Sequence, residues 1–414
     1  MAPVQETVEA LARMYWDIID TDNETSLDSL LTPIMHEQLP YAESMFEELA
    51  RSLALFDIAV PGLDPVPWDE VLGLPLERAL MSLFIINVGV LQDDGRFNAS
   101  LVDEPQFRAA LSPQARADVQ ATIRHLSGTP SQHQAAFRSA QERHPIAGRL
   151  SYNPLTTRPL VDLGPRGTLA PSAPLVPQAL STRSLYYLGM RRWENQFAID
   201  LGRRVEALTG ALLQQVPNAQ AFPDTVWHPD GGKRTADWTL VTPTAVVVIE
   251  CKSARPSIGA LAGEAMTVAS QHIVKARKQL DLTAQLIRDR NPAVAHIPTD
   301  RPIVGLVVTA EQFYLANSQL PSYGTSGQTP SMVVSLRGLE LLTRLPASEI
   351  GSRLLGILED ERATWMLERA LGDISQFERN PVLTAAWDRF TDVRNIASDA
   401  VLYERSLDPR FRLS

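Results

Sequence analysis

Asp237, Glu250 and Lys252 are two acids and a base set in or beside apolar segments, where charge is costly unless it is paired or coordinated. Glu250 and Lys252 close the run Ala245–Ser253, whose VVVI core favours a strand. Side chains alternate across a strand, so Glu250 and Lys252 share one face and Cys251 takes the other. Asp237 belongs to the preceding strand, Arg234–Val241, separated by the turn residues TPT at 242–244. A hairpin centred near Pro243 sets Asp237 about opposite Glu250. Two adjacent carboxylates repel, which raises one pKa, and a divalent cation between them removes the penalty. Mg²⁺ suits such a pair: it is hard, prefers oxygen, and commonly combines one or two carboxylates with water and phosphate oxygens. It could activate a water and neutralise charge building on a phosphodiester. The Cys251 carbonyl could supply a further ligand. Lys252 would position or help deprotonate the water, or stabilise the extra negative charge of the transition state. The alternative is a solvated strand end in which Lys252 forms a structural ion pair.

The elements around these residues follow from period and punctuation. A helix is expected over Thr182–Gln215, then short strands at Thr225–His228 and Arg234–Val241 joined by the HPDGGK turn. Ala245–Ser253 is the third strand, Ile258–Arg290 is mostly helix, and IVGLVVT at Ile303–Thr309 is a buried strand. Ala316–Pro330 is polar and loop-like, Met332–Ser335 a last strand, and helices follow over Leu336–Leu371 and Pro381–Val401. Tight turns allow the first strands to pair antiparallel, and the helical crossover allows Ile303–Thr309 to pair parallel with the third strand. The result is a mixed sheet flanked by helices.

The segments RTADW and VVVIECKS, in this order and setting, resemble the core of the PD-(D/E)XK nuclease superfamily, the restriction-endonuclease-like fold, over residues 182–335. The resemblance makes Asp237 the first acid, Glu250 the second and Lys252 the lysine, although Ala236 stands where the motif has Pro. It also implies a glutamate on the helix before the sheet. Glu206 in LGRRVEALTGALL takes that place, with Glu194 in WENQF as second choice. The helix after the third strand would add a polar residue, for which Gln271, Lys275 and Gln279 are candidates. The implied catalytic set is Asp237, Glu250, Lys252 and Glu206. The implied metal ligands are Asp237, Glu250, Glu206 and the Cys251 carbonyl, for Mg²⁺ with Mn²⁺ able to substitute. The activity implied is phosphodiester hydrolysis on nucleic acid, with DNA favoured over RNA; a place in prokaryotic defence fits the superfamily.

The 414 residues exceed what one core usually fills. The expected class is α/β, or α+β overall: a helical N-terminal domain over 1–150, a Pro-rich connector over 151–181, the nuclease-like domain over 182–345, and a C-terminal helical extension over 346–414. In the N-terminal part apolar residues recur at helical spacing (Val8, Leu11, Met14, Tyr15, Ile18), Ser26, Asp69 and Ser112 are possible helix starts, and strand-like alternation is scarce. That module would serve recognition, a protein partner or homo-oligomerisation. The connector holds short strand candidates at Pro159–Leu163 and Thr168–Ala170. The net charge of −10 argues against non-specific nucleic-acid binding by the whole surface and leaves room for a local basic cleft. No signal peptide or 18-residue uncharged apolar segment is present; Ala79–Leu91 reads as a buried helix, and no membrane partner is expected. The single cysteine excludes an intrachain disulfide and fits a cytoplasmic setting. The seven histidines lack zinc-ligand spacing, and no phosphate-binding G-x-x-x-x-G-K loop occurs. Trp227 and Trp238 suit core packing better than base stacking. Two rival readings are a catalytically silent nuclease-like scaffold and a regulatory interaction protein.

Overall fold

The computed structural model describes residues 44–97, 102–105, 111–143, 153–228, 232–253, 266–317, 327–360 and 366–390, together with Met35 and Arg108. The chain is α+β. Among the described residues it contains two mixed sheets, one of four very short strands and one of five.

The N-terminal helices are α1 (Met45–Asp57), α2 (Leu76–Gln92), α3 (Pro113–Leu126) and α4 (Pro130–Arg143). α1 buries Leu49, Leu53 and Phe56, the i, i+4, i+7 stripe of an amphipathic helix. Most of α2 is buried, as its LMSLFIINVGVL core requires. Ser112 caps α3 by accepting the Ala115 N–H at 3.1 Å, with Pro113 in the first turn where its missing N–H costs nothing. The expected helix at Val8–Ile18 and the Ser26 start lie outside the described residues.

Strands also occur in this region, contrary to the helical reading: β1 (Arg96–Phe97) and β2 (Ser127–Gly128) join β3 (Leu160–Asp162) and β4 (Thr168–Leu169) in the order β1-β4-β3-β2. The connector is therefore stitched into the N-terminal region. β1 and β2 are two-residue strands set just past the ends of helices, so only β3 and β4, in the Pro- and Gly-rich connector, are visible in the sequence.

α5 (Thr182–Leu213) follows, capped by Ser181 and broken at Glu194, whose φ of 55° is non-helical. The larger sheet is β5 (Gln220–Pro223), β6 (Trp238–Val241), β7 (Val246–Lys252), β8 (Ile303–Thr309) and β9 (Ser331–Ser335), in chain order across the sheet. β5, β6 and β7 are antiparallel; β7, β8 and β9 are parallel. The change of direction follows from the connections: Thr242–Ala245 closes a tight hairpin, whereas α6 (Met266–Arg288) carries the chain back across the sheet. The first strand lies at 220–223 instead of 225–228. There Ala221 and Phe222 pair with Leu240 and Thr239, and 226–234 retains one isolated bridge between Val226 and Arg234.

The sheet is buried on both faces. Val247 and Ile249 point with Leu240 and Leu306 into one cluster with α5; Val246 and Val248 point with Val307 toward Ile273, Ala276 and Leu280 of α6. α7 (Leu336–Leu342), α8 (Ala347–Glu359) and α9 (Pro381–Asp388) complete the fold. The N-terminal and C-terminal helices share apolar packing with the sheet layer. One apolar cluster runs from Leu49 on α1 through α5 and the sheet to Phe390. α1 packs on both α5 and α9, and Phe46 meets Trp387 edge-on. Arg51 of α1 makes a bidentate bond to Glu340 of α7 and also binds Glu48, all three buried. Burial raises the Glu340 carboxyl and Arg51 opposes the rise. Among the described residues no helix is long and apolar enough to cross a membrane.

Candidate active site

The β6–β7 register pairs Trp238 with Ile249, so one residue further Asp237 faces Glu250. Asp237 stands just outside the ladder, and its Oδ2 accepts the Cys251 N–H at 2.6 Å. The approach to Asp237 is fixed by α6 and by the start of the hairpin. Thr283 accepts the Ala236 N–H at 2.7 Å, Gln279 donates to the Arg234 carbonyl at 2.6 Å, and the Thr235 hydroxyl accepts the Thr225 N–H at 2.9 Å. Gln279 thus supports the strand entry. Gln271 and Lys275 are exposed on α6.

Glu250 is buried, with 7% of its surface accessible, on the α6 face of β7. Its Oε1 is ion-paired with the Lys252 ammonium, and its buried Oε2 has no hydrogen-bond partner. Burial and the neighbouring Asp237 raise the Glu250 carboxyl to about 7, against the pull of Lys252. Burial raises Asp237 as well, opposed by the Cys251 N–H and by Lys252.

Glu206 approaches from α5. It lies between Gly202 and Gly210 on one helical stripe. A side chain at Gly210 would meet the Trp238 ring at 2.1 Å, and one at Gly202 would meet Ser253 at 3.6 Å. The two glycines bring the helix down onto β6 and the end of β7, and the Trp238 indole donates to the Glu206 carbonyl at 3.0 Å. Trp238 is accordingly a packing residue. Burial first, then the charges of Asp237 and Asp224, raises the Glu206 carboxyl. Glu194 is exposed at the kink of α5, apart from these acids.

The structure thus assembles Asp237, Glu250 and Lys252 at one sheet end and sets Glu206 within the field of Asp237. Sequence reasoning missed Asp224, at the end of β5, which holds Arg234 in a two-point ion pair and adds negative charge beside Glu206 and Asp237. Its signal was the FPD that ends the true first strand. Among the described residues, no three His, Cys, Asp and Glu side chains gather closely enough to hold a metal by themselves. The donor set nonetheless fits a hard cation that takes part of its shell from backbone, water and substrate. It offers two facing carboxylates, one with an orphaned buried oxygen, and a Cys251 carbonyl leaving the strand edge on which the Cys251 N–H meets Asp237. The Cys251 side chain lies on the opposite face beside Thr209, and burial pushes its thiol well up, the reverse of an activated nucleophile. No protein-family model and no curated protein matches the chain.

Proposed function

We propose that the chain is a Mg²⁺-dependent nuclease of the restriction-endonuclease-like type, hydrolysing phosphodiester bonds, with DNA favoured over RNA. The observation that carries this reading is the confrontation of Asp237 with a buried, half-orphaned Glu250 beside Lys252. Asp237, Glu250 and the Cys251 carbonyl would hold the cation, with Glu206 reaching it through water. A bound divalent ion would supply a water acidic enough to attack at neutral pH and would offset charge on the phosphoryl oxygens. Asp237 and Glu250 orient that water. With a cation held there, Glu250 would direct its charge to the metal and Lys252 would be free to face the nucleophile or the developing negative charge. Mn²⁺ should replace Mg²⁺.

The test is a cleavage assay with Mg²⁺ or Mn²⁺ on plasmid, linear and single-stranded DNA and on RNA, paired with calorimetric metal binding. Asp237→Ala should lose both metal binding and cleavage. Lys252→Ala should lose cleavage, by about a hundred- to ten-thousand-fold, while binding metal as well or better. Normal cleavage by Lys252→Ala would reduce Lys252 to an ion-pair residue. A second reading, a catalytically silent scaffold, is favoured by the Lys252–Glu250 pair already closed at the site. Absence of cleavage together with absence of metal binding would select it.

A further inference from the structure

A cavity of about 830 Å³, counting the part open to solvent, lies between α3, α4, the 154–158 segment and the first turns of α5. His125, Gln132, His133, Arg158, Ser184 and Arg191 line it, together with apolar Ala136, Pro154 and Leu188. No carboxylate is among its lining residues. That is unusual in a chain with 48 acidic and 38 basic residues. A second polar cleft, at the carboxyl ends of β8 and β9, shows the common pattern: Arg51, Arg183 and Arg337 face Glu48, Glu311 and Glu368. In the cationic cavity neither Arg158 nor Arg191 makes a side-chain hydrogen bond or ion pair with any described residue. His133 is held in place. Its ring sits over Gly128, where a Cβ would come within 2.9 Å, and its Nε2 lies 3.4 Å from the Leu160 carbonyl. Gln132 uses its Oε1 on the Thr129 N–H, which directs the amide and leaves the NH₂ donors. Ser184 brings the first turn of α5, the positive end of its segment before the Glu194 kink, to the wall. Positive charge here is uncompensated: burial, then Arg158 and Arg191, lowers the His125 imidazole below its ordinary value.

We propose that this cavity is a binding site for a small phosphate-bearing molecule, gripped by Arg158 and Arg191 with His125 and Gln132 donating from α3 and α4 and His133 shaping the wall beside them. Donors from three elements exceed what the two oxygens of one carboxylate can use, whereas a phosphoryl group offers three or more oxygens and up to two charges. A nucleic-acid backbone would instead require an open basic stripe. The apolar side of the cavity gives room for an organic remainder on the phosphate. The site does not depend on the chemistry proposed for Asp237 and Glu250, which lie elsewhere on the fold.

Calorimetry on the full chain in EDTA, which keeps phosphate probes off the acidic centre, tests it. The probes are inorganic pyrophosphate, a nucleoside 5′-diphosphate, malonate and a single-stranded oligonucleotide. The phosphate probes should bind and malonate should bind more weakly. A tighter diphosphonucleoside than pyrophosphate identifies an organic phosphate as the ligand; equal affinity identifies the free phosphate. Arg158→Ala with Arg191→Ala should weaken binding about a hundredfold, each arginine contributing roughly a factor of ten or more. Both are exposed and make no side-chain bond with any described residue, so the double variant should fold normally. Lys278→Ala with Arg288→Ala on α6 removes the same charge and should leave affinity unchanged. No heat from any phosphate probe, an unchanged Arg158/Arg191 variant, equal loss in the α6 variant, or binding of the oligonucleotide alone would each overturn the proposal.

Discussion

Glu250→Gln tests the electrostatics of the candidate centre before any substrate is present. The Glu250 carboxyl sits at about 7 in the folded chain against an ordinary 4.5. At about 1.4 kcal/mol per pH unit this corresponds to roughly 3 kcal/mol, an order-of-magnitude figure. The folded state holds the proton more tightly than the unfolded state, so the contribution is fully present below pH 4.5 and is lost as pH rises toward 7. Above that the native chain carries a buried carboxylate steadied by Lys252 and, more weakly, by the Asp237 backbone. Gln has the same shape and no charge. In EDTA the variant and wild type should match near pH 4.5. By pH 8 the variant should be more stable, by about 1–3 kcal/mol once Lys252, a quarter exposed, has turned to water. Added Mg²⁺ should stabilise the wild type at pH 8 and the variant much less, because only the wild type binds the cation with both carboxylates. Urea unfolding followed by tryptophan fluorescence at each pH measures all of this. A variant less stable at pH 8, or a stability difference that does not change with pH, would refute the reasoning.

Gly210→Ala should cost about 1–3 kcal/mol in the same unfolding assay and shift Trp238 emission, because its Cβ would overlap the indole; an unchanged stability would mean α5 can lift off β6 freely. Glu194→Gly should leave stability unchanged or raise it by about 1 kcal/mol, by relieving a positive φ in a non-glycine residue; a loss of the size usual for glycine inside a helix would show that the helix runs straight there. Arg51→Met should destabilise by about 3–5 kcal/mol, since it strands Glu48 and Glu340 in the core, and adding Glu340→Leu should recover most of the loss.

The sheet was legible where its strands are long and uniformly apolar. IVGLVVT and VVVIECK announce β8 and β7 by composition, and the turn at 242–244 sets the register that brings Asp237 opposite Glu250. β5 was misplaced because Gln220–Pro223 is a half-exposed edge strand ending in proline, with little periodicity to read. Glu206 is named from the resemblance alone, and its flanking glycines become informative only once Trp238 and Ser253 are known to lie beneath them. Asp224 had only the FPD that ends β5 as its signal, and the support from Thr283 could not be read, because it depends on tertiary contact between segments far apart in sequence. The apolar packing that crosses the expected boundaries at 150 and 345 could not be read for the same reason. Periodicity marks each amphipathic helix but does not say which other helix covers its apolar face, and here Leu49 and Phe390 share one core.

The clasp of α1 on α9 gives the chain a birth order. Asp57 must wait for Arg389, 332 positions later, before its ion pair can form. At 5–20 residues per second that interval is about 17–66 s of synthesis. Until α5 has been made the apolar stripe of α1 lacks both partners, and from then until Arg389 emerges it still lacks α9, so the nascent chain presents a sticky surface to other chains and to chaperones. An excised fragment spanning 182–345 lacks α1 and α9, so the face of α5 that α1 covers would stay exposed, and its solubility would be the measure of how much that cover contributes.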